Sequence, residues 1–177
     1  MDLDNTLLDS NKQISEHTIE VLKEAIRQGV YIVPATGRIF KSIPEFLRNI
    51  EGVRYALCCN GATVYDQYED KIIYTNHLSA DATLRLFEIL EKYHCTHDIY
   101  QNGQGYMEKR YLDHLSDYNV SGHLLTLVNE TRLPVDDLEK HIKENPTGIE
   151  KISAFFDDME ERSAATKELI EKNIASV

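Results

Sequence analysis

Helical and strand-like segments alternate over the first sixty residues, and this order constrains the fold more than any other feature of the chain. A helical pattern of apolar residues begins after Ser15, a typical N-cap, and stops at Gly29. The apolar run of residues 30–35 follows, then a helical pattern over residues 43–50 and an apolar run over residues 55–59. The first run does not alternate, which predicts a strand buried on both faces, as in a parallel sheet. The sequence therefore predicts an α/β fold with a doubly wound sheet.

The pattern changes in the rest of the chain. Strand-like runs over residues 63–65 and 72–74 flank a polar turn, and Asn102-Gly103 separates two more such runs, which predicts two hairpins. Further helices are predicted from Ser79, around residues 138–142 and over residues 158–173, with a strand over residues 149–156. We therefore expect an α/β domain over residues 1–77 and an α+β domain over residues 78–177.

Composition and charge exclude several classes of partner. The chain has 177 residues and a formal net charge of −11, a field that repels nucleic acid and anionic lipid. A phosphorylated substrate would be repelled too, unless the site supplies a local cation. No apolar run is long enough to span a bilayer and no signal peptide precedes the acidic start, so we expect a cytoplasmic protein. The three cysteines, Cys58, Cys59 and Cys95, form neither a disulfide framework nor a zinc motif.

Two carboxylates, Asp2 and Asp4, lie two residues apart at the start of the chain and are followed by Thr6. In an extended segment residues i and i+2 point the same way, so both carboxylates can address one substrate. One can attack a phosphate while the other handles the proton, with a hard cation beside them. The alternative is a turn that carries two solvated aspartates, since short acidic motifs recur by chance.

Two polar segments follow the next predicted strands. Thr36-Gly37-Arg38 comes directly after residues 30–35 and offers a hydroxyl, a glycine that allows close backbone approach and the N–H groups of a following helix. Asn60-Gly61 follows the strand after that, although Asn-Gly is also the commonest turn pair. Both segments are expected at the same sheet edge as Asp2, where sheets of this kind bind ligands.

The Asp-x-Asp-x-Thr start, the Thr-Gly-Arg segment and Asn-Gly-Ala at residues 60–62 together resemble the haloacid dehalogenase superfamily of phosphohydrolases, in particular its Cof-type branch. The resemblance implies a Rossmann-like core with an α+β cap and activity on small phosphorylated metabolites. It implies that Asp2 is the nucleophile that forms an aspartyl-phosphate and that Asp4 serves as acid and base. It also implies Mg²⁺ held by Asp2 and Asp4. The implied phosphate-binding residues are Thr36, Gly37, Arg38, Asn60 and Gly61.

Two signatures of this family are missing from the chain. Neither Lys-Gly nor Gly-Asp occurs in the sequence, so a charge-neutralising lysine and further metal-binding aspartates are lacking, and only Met1 precedes Asp2. The sequence therefore resembles a family member cut at both ends. The alternative function is a catalytically silent fragment that serves as a binding or dimerising module. Because the first strand is nearly absent, we expect an exposed sheet edge to recruit a partner, either a second copy in a homodimer or another chain that fills the gap.

Other candidate residues are weaker. Asp157 and Asp158 follow a predicted strand and could replace the missing metal ligands, but Asp158 fits better as the N-cap of the last helix. The seven histidines show no metal-binding spacing. Three tyrosines could line a substrate-facing surface of the cap, although half-buried aromatic residues are the more frequent case: Tyr100, Tyr106 and Tyr111.

Overall fold

A computed structural model describes residues 1–9 and 11–172. The chain divides into two compact units, Met1–Asn76 and His77–Val177, which we call the N-terminal and the C-terminal unit. Among the described residues, no helix combines the length and the apolar character that crossing a membrane requires.

The helices of the N-terminal unit differ in how well they match the sequence pattern. Helix α1 spans Glu16–Arg27, and its N-cap Ser15 accepts a hydrogen bond from the backbone N–H of Thr18 at 3.1 Å, as predicted. The second helix, α2, spans only Glu45–Arg48 and is preceded by a 3₁₀ turn over Phe40–Ser42. It is shorter than its apolar pattern because Pro44, which has no N–H, occupies the N-cap.

Three antiparallel strands form the sheet of the N-terminal unit. Their order is β1 (Tyr55–Cys58), β2 (Thr63–Asp66) and β3 (Lys71–Thr75), so the predicted first hairpin is confirmed. The buried carboxylate of Asp66 accepts from the Arg54 guanidinium at 2.7–3.0 Å and from the backbone N–H groups of Tyr68 and Glu69. These bonds hold the pKa of Asp66 below its usual range and fix the turn between β2 and β3.

The apolar run of residues 30–35 differs from its prediction. It forms no extended ladder and pairs through single parallel bridges, Asp2 with Ala35 and Ala35 with Leu57. The expectation of burial on both faces was wrong, because burial alternates: Ile32 and Pro34 are buried, whereas Tyr31 is 78% exposed. The segment is covered on one face, as in a strand with a solvated side. The parallel order Asp2–Ala35–Leu57 nevertheless places the three following loops at one edge.

The C-terminal unit is built on a four-stranded sheet in the order β6-β5-β4-β7. The strands are β4 (Cys95–Gln101), β5 (Gln104–Glu108), β6 (Arg132–Val135) and β7 (Ile149–Phe156). Strands β4 and β5 form the second predicted hairpin, in which Asn102 and Gly103 both have positive φ (54° and 70°), as the tight turn requires. Strand β6 pairs parallel to β5, which the sequence did not predict.

Five helices accompany this sheet: α3 (Ala80–Leu90), α4 (Lys109–Leu112), α5 (Gly122–Thr131), α6 (Leu138–Glu144) and α7 (Met159–Lys172). Ser79 caps α3 as predicted, and Asp158 caps α7 by accepting from the N–H of Glu160 at 2.5 Å. The predicted end of the last helix, Asn173, lies outside the described residues. One apolar cluster around Phe87, Ile99 and Leu138 joins α3 and α6 to the sheet.

A buried ion pair crosses the sheet of the C-terminal unit. Arg132 on β6 reaches over Gly105 on β5 to Asp98 on β4, with Nη2 and Nε at 2.8 and 2.9 Å from Oδ2. On its way the guanidinium stacks on the Tyr100 ring, 4.6 Å from its centroid. Gly105 makes this path possible, since a Cβ there would lie 2.8 Å from the Thr131 carbonyl oxygen and 3.1 Å from the Arg132 Cδ.

Candidate active site

A cavity of about 280 Å³ opens at the edge where the parallel-bridged segments of the N-terminal unit end. It is lined by residues from all three loops: Asp2, Ala35, Thr36, Gly37, Leu57, Asn60 and Gly61. Three polar side chains, those of Asp2, Thr36 and Asn60, therefore meet at one place although 58 positions separate the first from the last.

Asp2 is held by the turn that follows it. Its Oδ2 accepts from the Thr6 hydroxyl at 3.2 Å, and the buried Leu3 anchors the turn, its carbonyl accepting from the N–H groups of Leu7 and Leu8 at 3.1 and 2.9 Å. Asn5 has a positive φ of 61°. Asparagine tolerates this left-handed region better than most other residues, which explains why it suits this position. The carboxylate of Asp2 is exposed and can meet a ligand.

Asp4 is placed differently from Asp2. Arg38 donates Nη2 to Oδ1 at 2.7 Å and Nε to Oδ2 at 3.0 Å, and Lys12 donates Nζ to Oδ1 at 2.9 Å. The Arg38 hydrogen bonds first, and the Lys12 contact with them, lower the pKa of Asp4 to about 2, against the opposing effect of burial. The described residues that line the cavity do not include Asp4 or Arg38, so the two aspartates do not face the ligand space in the same way.

Arg38 was expected to contact phosphate, and the structure gives its guanidinium other partners. Besides the two bonds to Asp4, its Nη1 donates to the carbonyl of Ser42 at 3.0 Å. The predicted helix directly after Gly37 is also missing, because a 3₁₀ turn begins at Phe40 and α2 only at Glu45. Free N–H groups of an α-helix therefore do not add to this site, and the predicted contribution of a helix start after Gly37 was wrong.

Thr36 and Asn60 belong to loops that are bonded to each other. The Thr36 N–H donates to the Leu57 carbonyl at 2.9 Å, and the Asn60 N–H donates to the Thr36 carbonyl at 3.1 Å. The Thr36 hydroxyl accepts from the Arg38 N–H at 3.2 Å and keeps its own proton for a ligand oxygen.

The loop after β1 is strained. Cys59, Asn60 and Gly61 have successive positive φ values of 51°, 59° and 94°. A non-glycine residue in this region persists when its surroundings over-determine it, and such positions cluster at functional sites. Here the surrounding bonds include the Cys59 N–H, which donates to the Arg38 carbonyl at 3.0 Å.

Of the two aspartates predicted to bind magnesium, only Asp2 has contacts that suit a metal ligand. Asp2 offers an exposed carboxylate, and Mg²⁺ needs only one or two protein carboxylates beside water and substrate oxygens. The Asp4 carboxylate already has two cationic partners, so its predicted role as a side-chain metal ligand does not fit its contacts. Within residues 1–9 and 11–172 no three His, Cys, Asp or Glu side chains form a metal cluster. Asp157, the suggested substitute, is bonded to the His94 ring at 3.1 Å instead.

Sequence reasoning missed Lys12 at this site. Residues 9–13 are polar, and nothing in their composition indicates that the chain turns back to Asp4. A local signal did exist, because Asp9 is followed by residues whose backbone it can bond. The Asp9 carboxylate accepts from the N–H groups of Asn11 and Gln13 at 2.9 and 2.8 Å, which closes the loop and returns Lys12 toward Asp4.

Comparison with known proteins identifies the family. The model of the haloacid dehalogenase-like hydrolases matches residues 1–177, and the chain belongs to that family, as its resemblance predicted. Among solved structures, a haloacid dehalogenase-like hydrolase from Bacillus subtilis superposes with a TM-score of 0.72 at 21% identity, over 96% of this chain and 65% of that one. One from Bacteroides thetaiotaomicron gives a TM-score of 0.67 at 20% identity, over 97% and 62%. These matches confirm the predicted fold class, the mixed α/β fold of haloacid dehalogenase-like hydrolases with a cap.

Several curated relatives are named phosphatases. Pyridoxal phosphate phosphatase YbhA of Escherichia coli is 31% identical over 94 residues, 53% of this chain and 35% of the relative. The 5-amino-6-(5-phospho-D-ribitylamino)uracil phosphatase YitU of Bacillus subtilis is 29% identical over 152 residues, 84% of this chain and 53% of the relative. The chain thus spans about half the length, or less, of these curated relatives.

Proposed function

We propose that the chain is the part of a Mg²⁺-dependent phosphohydrolase that carries its nucleophile, and that the enzyme acts on small phosphorylated metabolites. The observation that carries the proposal is the cavity in which Asp2 meets Thr36 and Asn60. An exposed carboxylate next to a hydroxyl and an amide is the arrangement that a carboxylate nucleophile and a phosphoryl group require.

In the proposed reaction the Asp2 carboxylate attacks phosphorus and the bond from phosphorus to the ester oxygen breaks, which leaves an aspartyl-phosphate. Arg38 and Lys12 hold the Asp4 carboxylate ionised, so the leaving oxygen takes its proton from water, and Asp4 accepts a proton from the water that hydrolyses the aspartyl-phosphate to phosphate and free Asp2. The acid role that the resemblance implies for Asp4 would require these two cations to move away from it. Thr36, Asn60 and the backbone of Gly37 and Gly61 bind the phosphoryl oxygens. Arg38 acts through Asp4 rather than on the phosphate, given its bonds.

Magnesium would be held by Asp2 together with water and substrate oxygens. When bound, the ion supplies positive charge that offsets the repulsion between the Asp2 carboxylate and the phosphate dianion. Of the predicted pair of ligands, Asp2 has an exposed carboxylate whose Oδ2 accepts from the Thr6 hydroxyl, whereas Asp4 would have to leave Lys12 and Arg38 to bind a metal through its side chain.

The proposed substrate class follows the names of the relatives. Two curated relatives are phosphatases of pyridoxal phosphate and of a phosphoribitylamino-uracil, and a solved structure of similar fold is a sugar phosphatase. All three are named for small phosphorylated compounds. We propose residues 1–77 as the hydrolase core and residues 78–177 as the cap domain of the family.

The test is the substitution Asp2→Asn. Removing the nucleophile should lower turnover of an aryl phosphate with Mg²⁺ by at least about 10²-fold, the cost of losing one reacting or charge-stabilising group. Because the sequence lacks the Lys-Gly and Gly-Asp segments of the family, we expect slow turnover, and transfer of ³²P from substrate to protein is the more sensitive measurement. Asp81→Asn, an exposed aspartate of the C-terminal unit, is the matched control. Equal labelling of Asp2→Asn and wild type would contradict the proposal.

Self-association is a second candidate property. Strand β3 pairs with β2 on one side, all five of its residues are exposed, and Ile72, Ile73 and Tyr74 are 42%, 49% and 53% exposed. Exposed apolar edge strands pair with other chains. We propose a homodimer through β3. Sedimentation should show Ile73→Lys to be more monomeric than wild type, and a monomeric wild type at high concentration would contradict it.

A further inference from the structure

Two asparagines of the chain are followed by glycine, and the structure places these two pairs in different surroundings. Asn60-Gly61 lies in the loop after β1 and lines the cavity, whereas Asn102-Gly103 forms the tight turn between β4 and β5. Both asparagines are exposed, and their φ values are positive and similar, 59° and 54°. A difference in the chemistry of the two pairs must therefore come from the bonds that hold each of them.

An asparagine followed by glycine can modify itself. The glycine nitrogen attacks the asparagine Cγ and closes a cyclic imide, the bond from Cγ to Nδ2 breaks, and Nδ2 leaves as ammonia with the proton of the glycine N–H. Water then opens the imide at either of its carbonyl groups, which leaves aspartate or isoaspartate. The reaction consumes water and needs no other reagent. Glycine favours it because no side chain shields the attacking nitrogen.

The pair in the C-terminal unit is protected from this reaction. The Gly103 N–H donates to the buried carboxylate of Glu150 at 2.8 Å, and the Asn102 Nδ2 donates to the Thr147 hydroxyl at 3.2 Å. The pair is also the whole of its loop, since the residues on either side are paired in the ladder of β4 and β5. Closing the imide would break both hydrogen bonds, one of them to a charged acceptor.

The pair at the cavity has fewer restraints. Its loop is longer, because residues 59–62 separate the paired residues Cys58 and Thr63. Within the part of the chain that the structure describes, the Gly61 N–H has no hydrogen-bond acceptor. Attack on Cγ requires the ψ of Asn60 to leave its value of 29°, and this movement relieves a non-glycine residue of the left-handed region. The attacking nitrogen is therefore unbonded and the local strain favours its approach.

We propose that Asn60-Gly61 is a site of self-modification, at which the Gly61 nitrogen displaces ammonia from the Asn60 side chain and aspartate or isoaspartate replaces asparagine in the cavity. The product places a second carboxylate in the cavity that Asp2 lines, where the amide offered a donor. Because like charges repel, the modified cavity binds a phosphoryl group less well. This consequence rests on the proposed phosphohydrolase function, whereas the modification itself does not.

The first measurement follows the modification directly. The 177-residue chain is incubated at neutral pH and digested, and mass spectrometry measures aspartate and isoaspartate at residues 60 and 102 over time. Conversion should be about tenfold faster at Asn60 than at Asn102, since a hydrogen bond to a charged group contributes a factor of that order. Equal conversion at the two positions, or faster conversion at Asn102, would overturn the proposal.

A variant tests whether the bond to Glu150 sets the difference. Glu150→Ala frees the Gly103 N–H, so the ratio of the rate at Asn60 to the rate at Asn102 should fall about tenfold. Both rates are measured in the same molecules, so a general loss of stability cancels in the ratio. Glu139→Ala, which removes an exposed carboxylate paired with Lys143, is the matched control and should leave the ratio unchanged. An unchanged ratio in Glu150→Ala would overturn the proposed cause of the selectivity.

The last measurement concerns the consequence for the cavity. Asn60→Asp reproduces one product and should lower transfer of ³²P from substrate to protein about 10²-fold, the cost of losing one donor to the phosphoryl group. Asn102→Asp, the same change in the C-terminal unit, should match wild type. Wild-type labelling in Asn60→Asp would overturn the loss of phosphate binding. If labelling proves independent of Asp2, the proposed phosphohydrolase fails, and the rates at residues 60 and 102 alone decide whether Asn60-Gly61 modifies itself.

Discussion

Two groups of charged side chains, one in each unit, lie in opposite environments. In the N-terminal unit, Asp2 is exposed in a cavity and Asp4, which is not among the lining residues, is bonded to two cations, on loops that contain left-handed residues. In the C-terminal unit, Asp98 and Arg132 are buried within a sheet and bind each other. An exposed charged side chain on a strained loop can bind a ligand, whereas the two members of a buried ion pair bind each other and contribute to the fold. The candidate chemistry is therefore expected in the N-terminal unit, and changes to the buried pair of the C-terminal unit should act on stability.

The largest expected effect is that of Arg132→Met. Asp98 has no exposed surface, and burial raises its pKa although Arg132 opposes the shift. Removing Arg132 leaves an uncompensated buried carboxyl group, which should cost about 3–5 kcal/mol of unfolding free energy in urea. Lys109→Met, which breaks the exposed pair with Asp113, should cost less than about 1 kcal/mol. The double change Asp98→Asn with Arg132→Met should recover part of the loss. A cost for Arg132→Met no larger than that of the exposed control would contradict the comparison.

The pH dependence of stability gives the second test. Burial between the Phe87 and Tyr111 rings lowers the pKa of His97 from 6.5 to about 4. The unfolded chain therefore binds a proton between these values that the folded chain does not. The contribution of His97 to the free energy of unfolding is complete above pH 6.5 and is lost as the pH falls toward 4. At about 1.4 kcal/mol per unit of pKa shift, the loss amounts to about 3 kcal/mol.

His97→Phe should flatten this part of the curve of unfolding free energy against pH. His94→Gln is the contrasting variant, because the Asp157 carboxylate raises the pKa of His94. A group with a raised pKa contributes stability that is lost as the pH rises, so its removal should leave the acid slope in place. An acid slope that persists in His97→Phe would assign the effect to other groups.

The third test concerns the path of Arg132 across the sheet. A Cβ at Gly105 would lie 2.8 Å from the backbone oxygen of Thr131, which cannot move aside as a flexible side chain could. Gly105→Ala should therefore cost about 1–3 kcal/mol, as overpacking typically does. The measurement is urea unfolding. Ala154→Gly on β7, which is separated from β5 by β4, removes a methyl group from the same sheet and serves as the comparison variant. A neutral Gly105→Ala would mean that β6 shifts and that the ion pair does not depend on this close approach.

Local signals in the sequence predicted most of the secondary structure. N-caps at Ser15, Ser79 and Asp158, the Asn102-Gly103 turn and the apolar strand Ile149–Phe156 each act over a few residues, and each appears in the structure as expected. Features that depend on distant partners were missed. Strand β6 pairs parallel to β5 after an excursion of 23 residues between Glu108 and Arg132, and its short apolar pattern does not indicate that partner.

The site was predictable to a similar extent. Asp2, Thr36 and Asn60 follow successive strand-like segments, so their meeting in one cavity could be expected from the order of the chain. The partners of Asp4 could not, because Arg38 lies 34 positions away and Lys12 returns through a loop whose bonds are made by the Asp9 side chain. The one-sided burial of residues 30–35 was likewise hidden, since it depends on which face the rest of the unit covers.

The smallest expected effect tests the strained loops of the N-terminal unit at Asn5. This residue has a φ of 61° in the turn that orients Asp2, and its side chain is exposed. Asn5→Gly should raise the unfolding free energy by a few tenths of a kcal/mol to about 1 kcal/mol, because glycine enters the left-handed region without steric cost. Asn5→Val should lower it by about 1–2 kcal/mol, because a β-branched residue is strained there. Thermal unfolding of both variants checks the sign.

The same two changes at Thr18, inside α1, should reverse the order, since glycine is disfavoured in a helix interior. If valine were tolerated at Asn5, the turn would not depend on a left-handed residue, and the strain attributed to the loops of this unit would not extend to the segment that carries Asp2.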